Sequence, residues 1–177
     1  MSALENVRFF AGKIIIAVIA VLALAGCGAG SQSRGPLDVK KVTYVAYNGE
    51  LPQAEVYVLT PDYKVTQYSV ETDTEGHYDY LAGELPSEDK YEMKEYEISE
   101  SEWTNLVNIL TRVNFMEIKE ELPYSEGTCD AGSFYIQVET SEGIHKSGGY
   151  AAGIEKDSDN RRFEEARTTV CDILNNH

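Results

Sequence analysis

The sequence predicts one α+β domain, in which an antiparallel sheet of about five to six strands has two helices packed on one face. Short runs with alternating apolar side chains, separated by turn-forming residues, indicate the strands. Two longer segments repeat their apolar residues at the spacing of a helix. The chain of 177 residues shows no internal repeat and no sign of a second domain.

The first half of the chain supplies the first strands of the sheet. Residues 42–47 are rich in β-forming side chains. Residues 54–70 predict a hairpin, because a turn with Pro61 at its second position divides them. Residues 91–98 alternate apolar and charged side chains, and the charges favour an edge strand.

A long acidic stretch, residues 71–89, separates this hairpin from the edge strand. Its glycine, proline and acidic residues predict a surface loop. Tyr78, Tyr80 and Leu81 are apolar exceptions within the stretch, and we expect part of it to pack against the domain through them.

The clearest local pattern begins at Ser99. Ser99 and Glu102 have the spacing of a capping box, while Ile98 and Trp103 have the spacing of a hydrophobic staple. We therefore expect a helix over residues 100–114. The apolar residues that share one face of this helix are Trp103, Leu106, Val107, Leu110 and Val113.

The last part of the chain predicts a second hairpin and a final helix. The strands of the hairpin are residues 133–140 and 144–147, and the glycine-rich residues 148–153 after them predict a flexible connection. Asp157 and Asp159 are candidates for the N-cap of the helix. The apolar stripe of the helix consists of Phe163, Ala166, Val170, Ile173 and Leu174, with Cys171 at its edge.

The N-terminal segment has the organisation of a secretory signal. Arg8 and Lys13 precede an unbroken apolar run over residues 14–25. Leu24-Ala25-Gly26-Cys27 resembles the lipobox of bacterial lipoproteins, and the resemblance implies cleavage before Cys27 and a diacylglycerol anchor on its thiol. An ordinary secretory signal and a permanent transmembrane anchor are the alternatives, although the run is shorter than the roughly 20 residues that span a bilayer.

This interpretation divides the chain into three parts. Residues 1–26 are the expected lipoprotein signal peptide, residues 27–39 the lipidated cysteine with a flexible tether, and residues 40–177 the α+β globular domain. We expect the mature protein at the cell membrane, held by lipid on the extracytoplasmic face. The order of strands and helices is also similar to that of uncharacterised domains in small bacterial lipoproteins, a similarity that implies no activity.

The chain is strongly acidic. It has 15 Lys and Arg against 30 Asp and Glu, and removal of Arg8, Lys13 and Glu5 with the signal leaves 13 against 29. Such a surface repels phosphate groups, which argues against nucleic acid as a partner and holds the domain away from anionic headgroups. We expect the membrane contact to be made through the lipid on Cys27.

The sequence contains three cysteines. If Cys27 carries lipid, Cys129 and Cys171 remain as a possible disulfide in a compartment where such bonds persist. A bridge closing a loop of about 40 residues would stabilise the fold by about 4 kcal/mol in the chain-entropy model. Two reduced, buried thiols are the alternative.

No motif for catalysis is present in the sequence. It contains no nucleophile elbow, phosphate-binding loop, dinucleotide fingerprint or zinc-binding helix motif, and His77, His145 and His177 have no ligand spacing. We therefore expect a protein that is not an enzyme and that has no cofactor and no metal site. A small envelope hydrolase is an alternative, and it requires His77 or His145 to lie beside a serine or a carboxylate.

Calcium-dependent ordering of the acidic loops is a further alternative. Asp73, Glu75 and Asp79 form one group of loop carboxylates, and Asp157 and Asp159 form another. Neither group has the spacing of an EF-hand loop. Solvated carboxylates, some of which cap a helix, are the simpler interpretation.

Tyrosine is frequent, with 12 in the chain. Those in predicted strands are Tyr44, Tyr47, Tyr57, Tyr63, Tyr68, Tyr91, Tyr96 and Tyr135. Tyrosine favours recognition surfaces because it combines a large contact area with a polar tip at small entropic cost, although half-buried sheets favour aromatic residues as well. We expect a lipid-anchored binding module of the bacterial cell envelope, whose partner is an envelope protein, a peptide or a glycan.

Overall fold

The computed structural model describes residues 35–47, 53–72, 78–125, 128 and 131–177. The strands among them are β1 (Val39–Tyr47), β2 (Gln53–Leu59), β3 (Lys64–Glu71), β4 (Tyr91–Glu97), β5 (Ser133–Thr140) and β6 (Gly143–Tyr150). The helices are α1 (Glu100–Arg112) and α2 (Ser158–Asn175). The predicted α+β fold class is confirmed. The expected signal peptide, Cys27 and the first part of the tether lie outside the described residues.

The strands form one antiparallel sheet in the order β4-β3-β2-β1-β5-β6. β1 lies inside the sheet, and its residues 42–45 are all buried. Because successive side chains of a strand point to opposite faces, this burial means that both faces of the sheet are covered at β1. We call the face under α1 and α2 the helix face. The opposite face carries Tyr47 of β1 and Tyr135 of β5, and we call it the tyrosine face.

The larger core lies between the helices and the helix face. α1 begins at the predicted capping box, in which the Glu102 N–H donates to Ser99 Oγ at 3.2 Å and the Ser99 N–H donates to Glu102 Oε2 at 2.8 Å. Side chains of both helices that are buried in this core are Trp103, Leu106, Leu110, Phe163, Ala166, Val170 and Ile173. Neither helix in the described part of the chain is long and apolar enough to cross a membrane.

Residues 78–87 fold back over the tyrosine face. Tyr80 is buried there in a second, smaller core, and Leu81 packs against it. Gln137 of β5 donates a hydrogen bond from Nε2 to the Leu81 carbonyl oxygen at 2.9 Å, which fixes the segment to the sheet. The predicted packing is therefore confirmed for Tyr80 and Leu81, whereas Tyr78 is 37% exposed.

β6 is longer than its sequence pattern predicts. The prediction of a flexible connection over residues 148–153 is wrong for its first three residues, which belong to β6. Gly148 opposes Tyr135 of β5, and on its other side it donates to the Glu120 carbonyl at 3.1 Å and accepts from the Leu122 N–H at 2.9 Å. Backbone pairing on both sides therefore holds this glycine-rich stretch in an extended conformation.

Candidate binding site

A cavity of about 460 Å³ lies on the tyrosine face, between the sheet and the segment that folds back over it. Its volume is within the range of small-molecule sites in proteins. The residues that line it are Val45, Tyr47, Tyr78, Asp79, Tyr80, Leu81, Ser133 and Tyr135. We call this cavity the tyrosine pocket.

The floor of the tyrosine pocket is built by two neighbouring strands. In the antiparallel register of β1 and β5, Val45 is opposite Tyr135 and Tyr47 is opposite Ser133. Residues two apart in a strand share a face, so these four side chains belong to one patch of the sheet. Strand pairing, and not loop conformation, therefore sets their spacing.

The outer wall of the pocket is a turn that Asp79 organises. Its Oδ1 accepts hydrogen bonds from the backbone N–H groups of Leu81 at 3.1 Å and Ala82 at 3.2 Å. The Gly83 N–H donates to the Tyr80 carbonyl oxygen at 3.1 Å and closes the turn. The Asp79 carboxylate is thus held in place at the pocket by the backbone that follows it.

The aromatic rings of the pocket form a connected group. Tyr47 lies at the centre, with its ring centroid 6.1 Å from that of Tyr135 at an interplanar angle of 90°. Its distance to the Tyr80 ring is 6.0 Å, at an angle of 41°. Tyr78 stacks beyond Tyr80, at 6.2 Å and 27°. The edge-to-face pair of Tyr47 and Tyr135 is a favourable aromatic geometry, and it gives the cavity ring planes of different orientation.

Burial, and after it the neighbouring Tyr80, Tyr135 and Asp79, together raise the pKa of Tyr47 to about 12. Each of these neighbours disfavours a negative charge on the Tyr47 hydroxyl. Tyr47 is therefore neutral at physiological pH. Among the described residues, the lining of the pocket presents aromatic surface, hydroxyl groups and one carboxylate.

Gly148 lies beside the Tyr135 ring on the neighbouring strand. A Cβ atom at this position would lie 2.7 Å from Tyr135 Cα and 2.9 Å from its ring Cδ1, and it would also clash with the Phe134 carbonyl oxygen. The φ of 152° is moreover one that side-chain-bearing residues rarely adopt. Glycine at position 148 is therefore required for the observed placement of Tyr135.

Two further cavities lie near Glu55. One, of about 400 Å³, is lined by Ala46, Tyr47, Gln53, Glu55, Gly132 and Phe134. The other, of about 420 Å³, is lined by Gln53, Glu55, Ser69, Val70, Glu71, Asp89, Lys90, Tyr91 and Glu92. Glu55 Oε2 already accepts hydrogen bonds from Gln67 Nε2 at 3.0 Å and Ser69 Oγ at 2.9 Å. This carboxylate is engaged within the sheet, which makes the tyrosine pocket the stronger candidate.

The structure describes one of the three cysteines, Cys171. Cys27 and Cys129 lie outside the described residues. Cys171 is half-buried on α2, where its Sγ lies 3.6 Å from Tyr44 Oη and 3.9 Å from Arg167 Nη1. The disulfide between Cys129 and Cys171 and the lipid on Cys27 remain predictions.

Within the described residues, His145 is hydrogen-bonded to a backbone carbonyl and not to a serine or a carboxylate, the pair that a hydrolase requires. Its Nε2–H donates to the Ile118 carbonyl oxygen at 2.8 Å, and its ring packs edge-on against Phe115 with centroids 5.9 Å apart. His177 stacks on Tyr96 near the end of α2. His77 lies outside the described residues.

Asp157 and Asp159, the second group of carboxylates proposed for calcium, already have partners within the fold. Asp157 caps α2 by accepting from the Asp159 and Asn160 N–H groups at 2.9 and 3.1 Å, and Asp159 pairs with Arg162 at 2.7 Å. Within the described ranges, no group of three or more acidic, histidine or cysteine side chains is arranged to hold a metal ion. Asp73 and Glu75 lie outside these ranges.

The tyrosines of the predicted strands do not share one surface. Tyr47 and Tyr135 line the pocket, whereas Tyr44 and Tyr57 stack on each other on the helix face with centroids 6.0 Å apart. Tyr78 and Tyr80 were not predicted as site residues, because the prediction considered only tyrosines in strands and these two belong to the acidic stretch. Their spacing of two residues beside Leu81 was the only local signal.

No protein-family model matches this chain, and no curated protein sequence matches it.

Proposed function

We propose that this protein is a lipid-anchored binding module on the extracytoplasmic face of a bacterial cell membrane, and that its ligand occupies the tyrosine pocket. One observation carries the proposal: four tyrosines from three separate parts of the chain line a single cavity. Cavities with aromatic walls and a small number of placed polar groups are typical ligand sites. The proposed partner is an envelope protein, a peptide or a glycan.

The site is suited to binding because its residues are held before any ligand arrives. β1 and β5 set the positions of Tyr47 and Tyr135, and Gln137 fixes the covering segment through the Leu81 carbonyl. A site held in this way loses little conformational freedom when a ligand enters. Tyrosine side chains also lose little entropy, since each has only two rotatable side-chain torsions.

The anchor in this proposal rests on the lipobox-like residues that end at Cys27. A tether of about ten residues has a coil reach of about 15 to 20 Å, which separates a lipidated Cys27 from the domain. The mature chain, with 13 Lys and Arg against 29 Asp and Glu, is also repelled by anionic headgroups.

Photo-crosslinking in the membranes of cells that make the protein tests the pocket. A photoreactive benzoylphenylalanine replaces Tyr78 in one full-length variant and Tyr124 in the control, because Tyr124 is 52% exposed and does not line the pocket. We expect a discrete crosslinked species from position 78 only, and its composition identifies the class of partner. No crosslink from position 78, or the same crosslinks from both positions, would contradict the proposed site.

Mass spectrometry of the mature amino terminus tests the anchor separately. We expect an acylated Cys27 as the first residue, and release of a Cys27→Ala chain from the membrane. An uncut leader or an unmodified thiol would contradict the anchor and leave the pocket proposal standing.

A further inference from the structure

We propose that the tyrosine pocket binds a quaternary ammonium group. This inference rests on the proposed function, because it assigns a ligand class to the same pocket. Three features of the cavity support a cationic ligand. They are the arrangement of its rings, its fixed carboxylate, and the absence of a positively charged side chain among the described residues that line the cavity.

The rings provide the main attraction. The face of an aromatic ring carries negative charge density and attracts a cation placed within about 6 Å of the ring centroid. Tyr47 lies 6.1 Å from Tyr135 at 90° and 6.0 Å from Tyr80 at 41°, so rings of different orientation border one space. A compact cation in that space would lie close to the rings that border it.

Asp79 adds a fixed negative charge to the same cavity. Its Oδ1 is held by the N–H groups of Leu81 and Ala82, so the carboxylate does not have to be ordered when a ligand enters. No lysine, arginine or histidine is among the described residues that line the cavity. The net charge of −15 attracts cations to the whole molecule as well.

A quaternary ammonium group makes a smaller demand on the pocket than a primary ammonium group. A primary ammonium has three N–H donors, and each needs an acceptor once it leaves water. A quaternary ammonium has no N–H donor and loses no hydrogen bond on entering. A hard metal cation is disfavoured, because Asp79 is the one carboxylate that the described lining residues offer.

Calorimetric titration of the full-length protein in a non-ionic detergent tests the inference. The probes are choline and 3,3-dimethyl-1-butanol, a neutral molecule of the same shape in which carbon replaces the charged nitrogen. We expect choline to bind at least about tenfold more tightly, since the shapes are equal and only choline is attracted by the rings and by Asp79. Equal affinities would overturn the ammonium assignment, while leaving the pocket as a binding site for a neutral ligand.

Two variants connect the affinity to the pocket. Asp79→Asn keeps the side-chain oxygen that accepts from Leu81 and Ala82 but removes the charge, and we expect choline to bind about fivefold more weakly. Tyr47→Leu removes the central ring, and we expect a loss of about tenfold or more. The control is Tyr68→Leu, which changes a tyrosine of the same face that does not line the pocket. Thermal melting verifies that each variant is folded, and an unchanged affinity in both pocket variants would overturn the inference.

A third probe, phosphocholine, distinguishes the source of the group. Binding of choline and phosphocholine alike supports a quaternary ammonium that is the terminal substituent of a larger ligand. Binding of choline alone would indicate a free small molecule and would contradict the proposed protein, peptide or glycan partner, while supporting the ammonium assignment. If neither probe binds, the ammonium assignment is overturned, and photo-crosslinking from position 78 decides the proposed function independently.

Discussion

The helix face and the tyrosine face belong to the same sheet, but different kinds of structure cover them. On the helix face, α1 and α2 place side chains such as Leu110 and Phe163 directly on the strands, and both are 0% exposed. On the tyrosine face, residues 78–87 take the place of a helix, and a cavity of about 460 Å³ remains beside them. The first face is a closed core and the second contains a preformed pocket.

The two covers differ in how the hydrogen-bonding groups of their backbones are satisfied. A helix bonds its backbone internally, so its apolar stripe is free to match the sheet without gaps. The backbone of residues 78–87 has no such internal pattern and needs other hydrogen-bond partners. Asp79 accepts from two of its N–H groups, and Gln137 of the sheet donates to the Leu81 carbonyl oxygen. Its aromatic residues also have polar hydroxyl tips that require a polar environment. Incomplete filling on this face is therefore a consequence of the sequence that covers it.

The largest difference in the free energy of unfolding is expected when one aromatic side chain of each cover is truncated to alanine. Phe163→Ala should lower the free energy of unfolding by about 3–5 kcal/mol, because a ring buried among helices and strands leaves a cavity. Tyr78→Ala should lower it by only about 1 kcal/mol, since this side chain is 37% exposed and its stacking on Tyr80 is the packing it loses. Denaturant unfolding of both chains measures the difference. Losses of equal size would mean that the two covers are equally closed.

A smaller effect is expected at the glycine beside the pocket. Gly148→Ala introduces the contacts with Tyr135 and should cost about 1–3 kcal/mol more than Gly143→Ala. Gly143 is a matched control, since it lies in the same strand with a φ of 153° and a Cβ there meets nothing within 4 Å. Displacement of the Tyr135 ring should also weaken choline binding in the Gly148→Ala chain alone. Equal stability and equal affinity in both chains would show that Gly148 does not position the ring.

Loss of the α1 cap should affect only the helix face. Ser99→Ala removes the side-chain acceptor for the Glu102 N–H and should cost about 1 kcal/mol. Thr104→Ala, an exposed change within the same helix, should stay within about 0.5 kcal/mol. Denaturant midpoints give both values, and choline affinity should be unchanged in both chains. A weaker affinity in Ser99→Ala would contradict the independence of the two faces.

The smallest effect on the free energy of unfolding is expected from a lowered pH. It arises from the carboxylates at the N-terminal caps of the two helices. Hydrogen bonds from Ser99 hold the pKa of Glu102 below its ordinary 4.5, and hydrogen bonds from Asn160 hold the pKa of Asp157 below its ordinary 3.8. A carboxylate whose pKa is lowered by folding contributes stability above its unfolded pKa, and that contribution is lost as the pH falls through the folded value. The free energy of unfolding should therefore decrease from about pH 4.5 downwards.

Asp157→Asn isolates the part of this acid effect that belongs to α2. Asparagine keeps an oxygen that accepts from the Asp159 and Asn160 N–H groups, but it has no charge to titrate. Denaturant midpoints measured over a series of pH values should therefore fall less steeply in this variant. An unchanged slope would mean that the cap of α2 does not contribute to the pH dependence.

The helix face could be predicted from the sequence because its signals are local. Ser99 and Glu102 stand three residues apart and bond to each other, and the apolar stripes of both helices repeat at helical spacing. The two hairpins were predicted for the same reason, since a short turn joins the strands that pair. Such patterns can be recognised without knowledge of any distant contact.

The tyrosine pocket could not be predicted in this way, because contacts between distant segments build it. Tyr47 and Tyr80 meet because the segment that contains Tyr80 packs against the sheet, where Gln137 of β5 bonds to it. The extension of β6 through Gly148 likewise depends on backbone bonds to Glu120 and Leu122, residues with no strand pattern. The acidic composition of residues 71–89 predicted a surface loop and gave no indication of where the loop returns to the sheet.

Ring signals of isotope-labelled tyrosines in the full-length chain test most directly whether ligand binding belongs to the tyrosine face. Addition of choline should shift the ring resonances of the four pocket tyrosines and leave those of Tyr44 and Tyr57, on the helix face, unchanged. Shifts confined to Tyr44 and Tyr57, or spread evenly over all tyrosines, would contradict a binding site in the tyrosine pocket.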